Sequence, residues 1–97
     1  MTSGDQDPRV TELRSAVARL RRRLAAHPGR FADRSIAEEE LAAMDAMAVG
    51  GTPEIPLLRR SLLLIAGAIG SVSALSPELA EVRRAVDLFG GPVRGQG

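Results

Sequence analysis

Apolar residues recur along this chain at helical spacing, and nowhere do they alternate in the manner of a strand. Val10, Leu13, Val17, Leu20 and Leu24 are separated by three, four, three and four residues, which places them on one face of an α-helix. Asp7-Pro8 supplies a cap and a first-turn proline, and Pro28-Gly29 a stop. The first helix is therefore predicted from Pro8 to about Ala26. A second follows from Ile36 to about Ala48, with Ala37, Leu41, Met44 and Ala48 facing inward and Gly50-Gly51 ending it. Ser35-Ile36-Ala37-Glu38 has the spacing of a capping box at its start. Ser76-Pro77-Glu78 opens the last helix, whose stripe is Leu79, Val82, Val86 and Phe89 and whose stop is Gly90-Gly91-Pro92.

The third helix has a different pattern. Opened by Thr52-Pro53 or Ile55-Pro56, it is predicted to run to Ala74 and is apolar on almost every side. Leu58, Leu62, Ile65, Ile69 and Val72 form one face, and Leu57, Leu64, Ala68 and Leu75 form a second. Gly67, Gly70 and Ala74, with Leu63, form a third face of mostly small side chains. A helix apolar all round is expected to be buried. Each glycine inside it costs roughly 0.8–1.0 kcal/mol relative to alanine, so Gly67, Gly70 and Ala74 are read as the site of close packing against another helix. The uninterrupted apolar stretch, residues 62–75, covers about 20 Å as a helix, short of the roughly 30 Å hydrocarbon core of a bilayer. The fold expected is all-α: a four-helix bundle of two helical hairpins with a central apolar helix three. Residues 7–90 form its single domain, 1–6 a disordered N-terminus and 91–97 a flexible tail.

Composition narrows the chemistry. The chain has 97 residues, no Cys, Trp or Tyr, and a net charge of +1. Without cysteine there are no disulfides, thiolate metal sites or thiol nucleophiles. The first residues lack the apolar core of a signal peptide, and a cytoplasmic location is expected. All 13 basic residues are Arg, a bias that a GC-rich genome explains. Those charges are segregated. Helix one carries Arg9, Arg14, Arg19, Arg21, Arg22 and Arg23 against Glu12 alone, while helix two shows Glu38, Glu39, Glu40 and Asp45. An antiparallel hairpin with complementary flanks is the expected result.

None of the candidate groups forms a catalytic constellation. His27, the one histidine, stands where it can meet the last carbonyls of helix one, and no second ligand lies at metal-binding spacing. Successive residues Glu38, Glu39 and Glu40 point about 100° apart and cannot converge on one reacting atom. Arg21-Arg22-Arg23 offers phosphate-binding charge, but without stacking aromatics or a helix-turn-helix signature. Arg59-Arg60 opposes the dipole at the start of helix three. Unless Glu54 or the helix-two acids pair with them, these two arginines are candidates for binding a partner.

The segment Gly51-Thr-Pro-Glu-Ile-Pro-Leu-Leu-Arg-Arg-Ser-Leu-Leu-Leu-Ile-Ala-Gly-Ala-Ile-Gly-Ser-Val-Ser-Ala-Leu75, with Ala85-Val-Asp-Leu-Phe-Gly90, resembles a small family of uncharacterised actinobacterial proteins of Streptomyces type, a domain of unknown function. The resemblance extends over about residues 8–90 and implies neither catalytic residues nor a cofactor. The expectation is a non-enzymatic module for protein–protein interaction that self-associates, a dimer being the favoured oligomer. Its partner-binding residues would be Arg59 and Arg60, then Arg21, Arg22 and Arg23. No metal, cofactor, small-molecule substrate or membrane insertion is expected. The alternative is a small regulator that binds nucleic acid through helix one.

Overall fold

The structure is a computed structural model and describes residues 7–29, 32–51 and 53–90. It contains four α-helices: α1 (Pro8–Ala26), α2 (Arg34–Val49), α3 (Ile55–Ile69) and α4 (Ser76–Gly90), with a 3-10 turn at Ser73–Leu75 leading into α4. The expected disordered 1–6 segment, the 91–97 tail and the Thr52 cap lie outside the described residues.

Each helix packs on its neighbours in sequence, and α1 and α4 close the ring, so the bundle is a square of four helices. The short connections bring consecutive helices side by side, as in an up-and-down bundle. Leu13, Val17, Leu20 and Leu24 of α1 meet Leu41 and Met44 of α2, Leu58, Ile65 and Ile69 of α3, and Val82 and Val86 of α4 in one buried cluster. The inward residues expected for α2, Ala37, Leu41, Met44 and Ala48, are its buried ones. Val10 and Phe89 sit at the margin, half-buried against the core.

Asp7 caps α1 as its position predicts. Its carboxylate accepts the Arg9 backbone N–H at 2.9 Å and pairs with the Arg9 guanidinium at 2.8 Å. These contacts, the side-chain bond foremost, hold the Asp7 carboxyl below its ordinary pKa. The same guanidinium lies 5.0 Å from the centre of the Phe89 ring, tying the start of α1 to the end of α4.

The capping box expected at Ser35 does not form. Helix α2 begins two residues earlier than expected, at Arg34, with Asp33 in the cap position and no side-chain cap bond. Ser35 is thus already inside the first turn, and Glu38 pairs with Arg34 at 3.4 Å across one turn of its own helix.

Helix three departs most from expectation. It ends at Ile69, five residues before Ala74, and the chain passes through Gly70, Ser71 and an extended Val72 into the 3-10 turn. Gly, Ser and β-branched Val in succession are weak helix formers, a break that hydrophobicity alone conceals. Nor is α3 central. In a square, each helix has two neighbours and keeps one side outward. Only Leu58, Ser61, Ile65 and Ile69 of α3 are buried.

The close approach expected at Gly67, Gly70 and Ala74 is not made within the chain. A Cβ on Gly67 would meet nothing within 4 Å. At Gly70 it would run into the Ala66 carbonyl, so that glycine serves the local helix end instead of a neighbouring helix. Ala74 is exposed in the 3-10 turn. Because Gly67 occupies a helix interior with free space around it, Gly67→Ala should raise the melting temperature. The expected gain is up to about 1 kcal/mol, or roughly 4–8 °C, read by circular dichroism on dilute protein. A lowered melting temperature would restore a packing role for this glycine.

Candidate interaction surface

The arginine-rich face of α1 is largely occupied by its own chain. Arg19 Nε donates to Glu81 Oε1 at 2.8 Å, and Arg23 lies 3.7 Å from Glu78 Oε2 while also reaching the Ala74 carbonyl. Arg14 stands 3.7 Å from Asp45. The charge complementarity expected between α1 and α2 therefore rests on Arg14 and Asp45, and α4 supplies the partners of Arg19 and Arg23. Arg21 and Arg22 are exposed and make no ion pair among the described residues. The Glu38-Glu39-Glu40 run diverges as helical geometry demands: Glu38 turns to Arg34, Glu39 stays exposed, and Glu40 accepts the Ser61 hydroxyl at 2.8 Å. Ser61 is the buried polar residue on the inner face of α3, so this bond satisfies a group that would otherwise be costly to bury.

Arg34 carries a role that helix periodicity does not reveal. From the first position of α2 its guanidinium turns back over the end of α1. Nη1 donates to the His27 and Gly29 carbonyls at 3.2 and 3.0 Å, and Nη2 donates to the Leu24 carbonyl. The Leu24 carbonyl is one of those that a helix C-terminus leaves without an intrahelical partner, and the His27 and Gly29 carbonyls belong to the cap and turn that follow α1. The backbone N–H of His27 also bonds the Leu24 carbonyl, and its ring rests against Gly29, where a Cβ would approach Nε2 to 2.8 Å. A signal did exist: Arg34, like Arg59 and Arg60, is a cation at a helix start, and such a charge needs a compensating partner.

Arg59 and Arg60 take different paths. Arg59 donates to the Gly90 carbonyl at 3.3 Å, closing the C-terminal end of α4. It bonds neither Glu54 nor the α2 acids. Arg60 is exposed and has no hydrogen bond or ion pair among the described residues.

Around Arg60 the outer side of α3 is apolar. Leu63 is 73% exposed, Leu57 45% and Leu64 39%, and Ile55 is also exposed. The helix stands as a ridge between two shallow grooves. The groove toward α2, about 340 Å³, includes Glu40, Met47, Leu57 and Arg60. The groove toward α4, about 260 Å³, includes Leu63, Ala66, Arg83 and Asp87. A larger open depression of about 540 Å³ lies between α1 and α4, but its charged lining includes the Arg19–Glu81 pair and Arg9, already bound to Asp7. Among the described residues no group of three His, Asp or Glu could hold a metal ion, and no helix is long and apolar enough to cross a membrane.

A chain of four short helices with paired charges along α1 and an uncovered apolar ridge on α3 matches a family of unknown function, DUF5955, over residues 2–90. The protein belongs to that family. No curated protein and no solved structure matches it.

Proposed function

We propose that this protein is a non-enzymatic protein–protein interaction module that self-associates through the outward face of α3. The observation that carries the reading is the ridge of Leu57, Leu63 and Leu64 around Arg60, which has no partner among the described residues. Scattered exposed leucines are ordinary on a monomer, but a contiguous apolar strip rimmed by polar groups marks an interaction surface. Nucleic-acid binding through α1 is less well supported, because Arg14, Arg19 and Arg23 are engaged by acids of the same chain.

Sedimentation velocity from roughly 10 μM to 1 mM protein tests the proposal over the range where modest interfaces associate. The weight-average mass should rise toward that of a dimer, and Leu63→Glu should hold it at the monomer value while leaving helicity intact. A wild-type mass that stays monomeric throughout would overturn self-association. Persistence of the dimer at high salt would further separate an apolar interface from phosphate binding, which weakens steeply as salt rises.

A further inference from the structure

We infer that the second copy lies antiparallel on α3, related by a two-fold axis between residues 63 and 64, so that Arg60 of each copy reaches the C-terminal end of α3 of the other. This inference rests on the self-association reading above and adds its geometry.

Three features of α3 complement one another only in that direction. Arg60, in the second turn of α3, is an exposed cation with no partner among the described residues. The last turn of α3 carries no basic residue. Gly70 and Val72 return backbone N–H bonds to Ala66 and Ile69, but the Gly67 and Ala68 carbonyls accept none from a described residue. A parallel neighbour would set Arg60 against Arg60. An antiparallel one brings each cation to the negative, underbonded end of the opposite helix, the position where arginine is favourable.

Register follows from helix geometry. At 100° per residue, Arg60 and Gly67 point within about 20° of each other, near the middle of the exposed face. Leu63 and Leu64 lie on either side of that line. With the axis between 63 and 64, position 60 of one copy faces position 67 of the other, and 56 faces the turn at Ser71, which the helical backbone angles of Gly70 carry on past the end of α3. The four leucines then form one layer at the axis. The free space at Gly67 gives the opposing Arg60 room to pass toward the carbonyls. An isologous contact of this kind closes on itself and makes a dimer, not a fibre.

The chain has no cysteine, so single thiols report the arrangement directly. Pro56→Cys and Ser71→Cys, both at exposed positions, should form a 56–71 disulfide when the two variants are mixed and oxidised. Pro56→Cys alone should not cross-link, because in this register its two copies lie about 22 Å apart, far beyond disulfide reach. Arg60→Glu should weaken dimerisation about tenfold or more in sedimentation, with unchanged helicity. Disulfide formation by Pro56→Cys with itself, or a dimer that gives no 56–71 product, would overturn the antiparallel register while leaving self-association standing. A monomer at every concentration would remove both.

Discussion

Ile65→Ala is expected to destabilise the protein by about 2–5 kcal/mol, while Leu63→Ala, two residues away on the same helix, changes stability by less than about 0.5 kcal/mol. Both residues belong to an unbroken apolar run, and composition gives no reason to separate them. The tertiary structure does. Ile65 is fully buried against the common core of four helices, so truncation removes its transfer energy and leaves a cavity among Leu, Val and Met side chains. Leu63 is mostly in solvent, and its truncation leaves no hole. Total stability for a domain of this kind is about 5–15 kcal/mol, so the first change removes a large fraction of it. Urea denaturation followed by helical circular dichroism is the suitable measurement, because the chain has neither Trp nor Tyr to report by fluorescence. It should be done on dilute protein, where any contact between copies is absent. Equal effects at the two positions would mean that α3 is covered on both sides, and the exposed ridge would be lost.

Arg34→Ala should cost about 1.5–3 kcal/mol, lowering the melting temperature by about 6–24 °C. Three carbonyls at the end of α1, those of Leu24, His27 and Gly29, share this one guanidinium. Alanine removes the charge-assisted bonds and also leaves the carbonyls in a partly closed site where water satisfies them poorly. Glu38, on the next turn, aligns the guanidinium from the other side. Arg34→Lys should recover only part of the loss, because an ammonium group lacks the planar fork that spans several carbonyls. A melting temperature within about 1 °C of wild type for Arg34→Ala would show that this contact contributes nothing to the α1–α2 junction.

The contrast between Arg34 and Arg59-Arg60 bears on how much of the site could be read before the fold. Besides Arg9, which pairs with the neighbouring Asp7, three arginines stand near helix starts, and the local argument is the same for each: a cation there is misplaced and needs a partner. Only folding distributes the partners. Arg34 finds the end of α1, Arg59 the end of α4, and Arg60 finds none among the described residues. Likewise, the basic face of α1 was legible as a face, but Glu78 and Glu81 as partners were not. They lie more than fifty residues from their arginines, and their proximity depends on α4 closing the square.

Local periodicity settled the number and order of the helices, the cap at Asp7 and the inward stripes of α1 and α2. Each depends on residues within a turn or two of one another, where helical geometry is fixed by the backbone. Which side of α3 stays open depended on the tertiary structure, and so did the end of that helix at Ile69 and the release of Gly67 from packing inside the chain. An apolar run states how much surface is available for burial, but the cover comes from other parts of the chain. Here the stripes of the two neighbouring helices, α2 and α4, and the shared core cover only one face of α3, and the leucines left over are what an interaction can use.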